Sequence, residues 1–318
     1  MKIETIIPQL PLRLILLLAR VSAWVRPLKH YPGWYFGIDK NNPNFWFRLR
    51  KSIWEYCNER QSQQPIIIKW YYGLRVLVYL GNDTSSLLFI GGCIDPNEFF
   101  LLDKVLTPGM TFVDIGANEG HYTLFASKRL GSKGRVLSIE PSKREFSRLS
   151  RNLQINNATN VRLFRLAISN YNGQTGMTIA GYGHEGQNTF GTFVHKDIEF
   201  LRTEQVKLKR LDDLIDEECL DRLDVMKIDV EGAEFAVLDG AQNTLSHYRP
   251  IILLEILESA LQQQGSNSDA ILRLLHSYNY SIYSFDKLTG WPVQTKSGEL
   301  SDNIVAAPID YVFPDYIG

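Results

Sequence analysis

From Thr111 onward the chain alternates strand-like apolar runs with helix-like runs, and this alternation limits the fold more than any other feature. Successive strand–helix–strand units bury their apolar faces by forming a parallel sheet with helices packed on it. The pattern predicts strands at residues 111–115, 135–139, 161–167, 224–228 and 250–256. Helices are predicted at 121–130, closed by Gly131, and at 142–156, capped by Ser142 with Glu145 three residues on. Two more are predicted at 233–245 and 269–278, and residues 280–285 and 303–306 read as a terminal antiparallel pair. The expected architecture is a doubly wound, mostly parallel α/β sheet of seven strands. Residues 170–208, between the third and fourth strands, are glycine-rich and polar and alternate in places, which predicts a hairpin or lid.

This domain is assigned to residues 81–318. Residues 1–80 form a basic, aromatic-rich extension with five of the six tryptophans. They carry 12 Lys/Arg against 4 Asp/Glu, net +8, whereas the remainder is −9. Such a split suits an anionic neighbour such as a membrane surface, or simply a solvated basic face. Residues 10–25 are apolar but interrupted by Arg13 and Arg20, seven apart and so on one side of a helix, with Trp24, Arg26 and Lys29 following. The run is shorter than the about 20 residues needed to span a bilayer, and no small-residue cleavage site follows it. It reads either as an interfacial helix or as a helix packed on its own domain or on a second subunit, which leaves a homo-oligomer open. Residues 66–90, with turns at Gly73 and 81–83, read as short strands, and 96–106 as a helix ending at Pro108 and Gly109.

Cys57, Cys93 and Cys219 are far apart and lack metal-ligand spacing. No disulfide framework, zinc site or other metal site is assigned, and a cytoplasmic location, at most peripheral to a membrane, is expected. No nucleic-acid-reading module is present and the core is acidic, so a nucleic-acid partner is not expected.

The first predicted strand runs into FVDIGANEGHYT at residues 112–123. Glycines at a strand-to-helix turn let a ligand approach the backbone, and the helix N-terminus offers free N–H groups. In open α/β sheets ligands bind beyond the carboxyl ends of the strands. Glu140 ends the second strand, 24 residues after Gly116. An acid at that place can accept both ribose hydroxyls of a nucleoside. A dinucleotide site wants G-x-G-x-x-G, but here Gly116 and Gly120 are separated by three residues. S-adenosylmethionine has an adenosine and an amino acid but no phosphate, and it suits this turn better, with Asp114 placed to hold its amino group. The fourth strand ends in KIDVEGAE at 227–234. Asp229 is expected to face the cleft and Glu231 either to do so or to cap the next helix. Lys227, inside an apolar strand, is expected to pair with a carboxylate.

FVDIGANEGHYT at 112–123 and KIDVEGAEFAVLDG at 227–240 together resemble the FkbM family of methyltransferases. The resemblance runs from about Ile90 to Pro308. It includes Ile90-Gly91-Gly92, Ala167-Ile168-Ser169, Arg210-Leu211-Asp212-Asp213-Leu214 and Leu253-Leu254-Glu255-Ile256. It implies a class I, Rossmann-like methyltransferase fold and O-methylation of a hydroxyl on a sugar, glycan, lipid or other secondary metabolite. The cofactor site expected is Asp114, Gly116, Ala117, Asn118, Gly120, Glu140, Pro141, Ala167, Ile168 and Asp229. Asp229 and Glu231 are the candidate bases, with Glu255 and His184 behind them. Glu119 and His121 read as local helix-start residues. The rivals are a nicotinamide-dependent oxidoreductase, which the glycine spacing argues against, and a non-catalytic methyltransferase-like binding protein. The intact set Asp114, Gly116, Gly120, Glu140 and Asp229 argues against the latter.

Overall fold

The structure, a computed structural model, describes residues 3–24, 45–194, 197–295 and 300–315. Arg26, Lys29 and the aromatic run at 34–36 lie outside them. The front segment holds α1 (Ile3–Ile6), α2 (Leu12–Trp24) and α3 (Phe45–Glu59), then an antiparallel pair, β1 (Pro65–Lys69) and β2 (Arg75–Tyr79). Period-2 alternation puts Ile66, Ile68, Val76 and Val78 inward. Residues 83–91 are helical rather than the expected strand. The Asn82 side chain accepts from Ser85 N and starts α4 (Asp83–Ser86), which runs on into a π-type turn, Leu87–Gly91. α5 (Pro96–Val105) leads into the main domain.

That domain proceeds through β3 (Thr111–Ile115), α6 (His121–Leu130), β4 (Arg135–Ile139), α7 (Lys143–Asn156), β5 (Val161–Phe164), β6 (Ala167–Ile168), β7 (Gly173–Ala180) and β8 (Phe200–Lys209). It continues with α8 (Leu211–Glu217), β9 (Val225–Ile228), α9 (Glu234–Asp239), β10 (Ile251–Glu255), α10 (Glu258–Gln263), α11 (Ser268–Ser277), β11 (Tyr280–Phe285), β12 (Pro292–Gln294) and β13 (Asn303–Pro308). The large sheet has the order β12-β11-β13-β10-β9-β3-β4-β5, with β10 to β5 parallel and β13 antiparallel to its neighbours. It has eight strands instead of seven, because the three-residue β12 adds an edge whose Pro292 needs no ladder donor.

Two further expectations are corrected. The third strand divides: β5 stays in the large sheet, while β6 leaves to pair with β8 in a three-stranded sheet with β7. The helix expected at 233–245 breaks at Gly240, where an added Cβ would lie 2.1 Å from the Ser169 carbonyl oxygen. β7 and β8 form the expected hairpin.

Each face of the sheet has its own apolar layer. Val113, Ile115, Leu137, Ile139, Met226 and Ile228 face α8, α9 and α11. Phe112, Val136 and Val225 face α5, α6 and α7, and this cluster is continuous with buried side chains of α2, α3, β1 and β2.

Candidate active site

A cleft of about 370 Å³ opens beyond the carboxyl ends of β3, β4, β9 and β10. Its walls include Gly116, Ala117, Asn118, Glu140, Pro141, Ala167, Ile168, Asp229, Glu231 and Glu255. The strand ends and the turns after them converge there, as the parallel topology requires.

Gly116 has φ +77°, and a Cβ there would sit 1.8 Å from the Asp229 carbonyl oxygen. Gly120, φ +89°, would collide with Leu149 at 2.2 Å; it lies behind the cleft wall as the residue preceding α6. Both glycines are thus demanded by the protein's own packing as well as by any ligand. Between them Asn118, φ +49°, donates its N–H to Glu140 at 2.9 Å. The other Glu140 oxygen accepts from Ser142 N at 2.8 Å, so Glu140 ties the glycine turn to the start of α7. Each carboxylate oxygen retains a lone pair for a further donor. Burial, reinforced by Glu145, pushes the Glu140 carboxyl up to about 8. Ser142 does not cap α7 through its N–H groups; its hydroxyl donates to Glu145 instead.

Asp114 is fully buried and stands behind the cleft rather than in it. Register explains this: Ser138, Asp114 and Lys227 lie side by side on β4, β3 and β9, on the face opposite Val113 and Ile115. Thr123 Oγ1 donates to Asp114 at 2.5 Å and lies 2.7 Å from Ser138 Oγ. Lys227 Nζ donates to the Gly116 carbonyl at 3.0 Å, pairs with Asp229 at 2.9 Å and lies 4.0 Å from Asp114. Asp114 is therefore placed to help hold the buried ammonium, not to touch an amino group in the cleft. Burial opposes the Lys227 charge, but Asp229 and Asp114 outweigh it and hold its pKa above the ordinary lysine range.

Asp229, Glu231 and Glu255 each bring a carboxylate oxygen within 4.8 Å of the others, the one set among the described residues able to hold a cation. Burial, then Asp229, pushes Glu231 well above the carboxylate range; for Glu255 Asp229 acts first and burial second. Glu231 does not cap α9. Glu234, the first residue of α9, accepts from Val230 N and Gly232 N at 3.1 Å each and ties down the turn before the helix, while Glu231, φ +53°, turns to the β7–β8 insertion. From that insertion Gln187 Nε2 donates to Glu231 Oε1, and Thr189 Oγ1 to its carbonyl, at 3.2 Å each.

The insertion roofs the cleft with Glu185, Gly186, Gln187, Asn188 and Phe190. Glu185 is tied to Arg148 at 3.6 Å and accepts from Gln63 Nε2. Arg148 pairs with the buried Glu119 at 2.7 Å, so Glu119 braces α7. His184 pairs with Asp83 at 3.0 Å, away from the cleft lining.

Sequence reasoning passed over several lining groups. His121, set aside as a helix-start residue, lines the cleft with a buried Nε2 that has no hydrogen-bond partner. Burial, aided by Lys227, pushes its pKa down to about 3, so the ring is neutral. Tyr122 donates its hydroxyl to Asp95 at 2.8 Å, and Asp302 and Asn303 complete that end. The position of His121 and Tyr122 directly after Gly120 was the available signal.

Comparison with known proteins identifies the methyltransferase FkbM domain over residues 114–282, just over half of the chain. "Methyltransferase 1" of Beauveria bassiana is 27% identical over 187 residues, covering 54% of this chain and 72% of that protein. "2-O-methyltransferase NoeI" of Sinorhizobium fredii is 28% identical over 190 residues, covering 56% and 74%. Among solved structures, methyltransferase FkbM from Methylobacillus flagellatus aligns over 92% of this chain and 58% of its own, with 15% identity and a TM-score of 0.41.

Proposed function

The chain belongs to the FkbM family of S-adenosylmethionine-dependent methyltransferases, and we propose that it methylates a hydroxyl oxygen of an uncharged sugar, glycan, lipid or other secondary metabolite. The observation that carries this is the Asp229, Glu231 and Glu255 carboxylate group at the strand ends. Carboxyl oxygens so close together, Asp229 among them, offer acceptors to a hydroxyl donor and disfavour an anionic acceptor group. The relative from Sinorhizobium fredii, named a 2-O-methyltransferase, supports the same choice of atom.

The residues fit the cofactor. Asn118 Oδ1 is buried in the cleft wall without a partner and Glu140 keeps free lone pairs, so donors from a nucleoside would satisfy both. Gly116, Ala117, Asn118, Glu140, Pro141, Ala167 and Ile168 would hold it. When bound, it supplies a methyl group on a sulfonium, already a good leaving group. The protein's tasks are then to align the acceptor and take its proton. Asp229, oriented by Lys227, receives the hydroxyl's hydrogen bond. Glu231, its carboxylate within 4.8 Å of that of Asp229, is the second candidate acceptor of that proton. Met177, Phe190 and Ile94 line the same space and exclude water.

The test offers labelled S-adenosylmethionine with neutral glycans and glycolipids, and with amine and carboxylate analogues. Label in an alkali-stable methyl ether supports the reading. Label only on nitrogen, or only in an alkali-labile ester, overturns it.

A further inference from the structure

Helix α2 carries two faces. Ile15, Ala19, Ser22 and Ala23 are buried against the protein, where the helix packs on β1 and α3. Arg50 of α3 donates to the Ser22 carbonyl at 2.5 Å and holds the end of the helix down. The opposite face exposes Leu14 at 39%, Leu17 at 53% and Val21 at 47%. These three follow i, i+3, i+7 spacing and form one outward stripe. Arg13 and Arg20, both exposed, are seven residues apart along its edge. Globular surfaces do not normally spend a row of branched apolar side chains on water.

We propose that this outward face docks the protein onto an anionic lipid bilayer surface. The charge pattern selects that occupant. The helix has two arginines and no acidic residue, and residues 1–80 carry net +8. A second copy packed on the stripe would bring four guanidinium groups together with no carboxylate from either helix, whereas acidic headgroups meet the arginines while the leucines enter the acyl boundary. Spanning is excluded for this helix: 13 residues rise about 20 Å, against about 30 Å of hydrocarbon, and its inner face is already packed. The contact is shallow, and because the helix is formed and anchored beforehand, no folding cost accompanies it.

The experiment is flotation of the full chain with vesicles of phosphatidylcholine alone and with about one-third phosphatidylglycerol. The wild type should float with the acidic vesicles, less so as salt is raised, and not with the neutral ones. Leu17→Glu should lower the floated fraction about ten-fold while S-adenosylhomocysteine affinity is unchanged, which shows that it folds. The double variant Arg13→Gln, Arg20→Gln keeps the stripe and should lose the preference for acidic lipid. No flotation of the wild type, undiminished flotation of Leu17→Glu, or a dimer in sedimentation that Leu17→Glu dissociates would each overturn the proposal.

Discussion

S-adenosylhomocysteine should bind wild-type protein about 100-fold more weakly at pH 6 than at pH 9, and Glu140→Gln should abolish that dependence. The argument starts from a carboxyl buried in the cleft wall and raised to about 8 by burial and by Glu145. Ribose hydroxyls donating to Glu140 favour its ionised form, so ligand binding lowers this pKa. Affinity is then full above the free-protein pKa. It falls about ten-fold per pH unit below it, about 1.4 kcal/mol for each unit. At pH 9, where wild-type Glu140 is charged, Gln should still bind about 10- to 100-fold more weakly. Its amide accepts on one atom where the carboxylate accepts on two, and a hydrogen bond to a charged group is worth about 1.5–3 kcal/mol. The same change strips an acceptor from Asn118 N or Ser142 N, bonded at 2.9 and 2.8 Å, so some thermal stability should go with it. Calorimetric titration of both proteins from pH 6 to pH 9 is the assay. A flat wild-type profile, or the same slope in the Gln variant, would refute the assignment of Glu140 to the ribose.

Two further expectations follow from the site. Asp229→Asn should lower saturated turnover by about 10²-fold or more with S-adenosylhomocysteine affinity within a few-fold of wild type; a loss of affinity alone would move Asp229 to the cofactor's side. Gly116→Ala places a Cβ 1.8 Å from the Asp229 carbonyl oxygen in a left-handed backbone, so urea unfolding should show a loss of more than about 3 kcal/mol, and an unchanged midpoint would contradict the close packing of β3 on β9.

The strands that build the cleft were readable because fully buried parallel strands are short, predominantly apolar runs, interrupted in β3 and β9 only once each, by Asp114 and by Lys227. Thr111–Ile115 and Val225–Ile228 each end at glycine-bearing turns. The spacing from Gly116 to Glu140 was readable for the same reason: one helix and one strand, α6 and β4, fill it. What escaped depends on register and on particular turns. Asp114 looked like a ligand contact because it precedes the glycine turn. Its face is decided by which residues lie beside it on β4 and β9, a non-local fact. Glu231 looked like a helix cap, but its φ is positive and its side chain meets Gln187, while Glu234 three residues on ties down the turn. Residues 83–91 follow an alternating stretch but are themselves four polar residues, four apolar ones and Gly91, and the Asn82 side chain captures Ser85 N and starts a helix. β12 is three residues long and has no pattern to read.

One wall of the cleft has a different origin from the rest. Thr84, Leu87, Ile94 and Asp95 line it, and all four precede the stretch 114–282 that marks family membership. The glycine turn, Glu140 and Asp229 thus fall within the family domain, while part of the lining is written in sequence outside it. A relative that differs only at the counterparts of residues 84–95 would rebuild that wall without disturbing Glu140 or Lys227. Exchanging those twelve residues between relatives, with the core left whole, would show how much of acceptor choice travels with them.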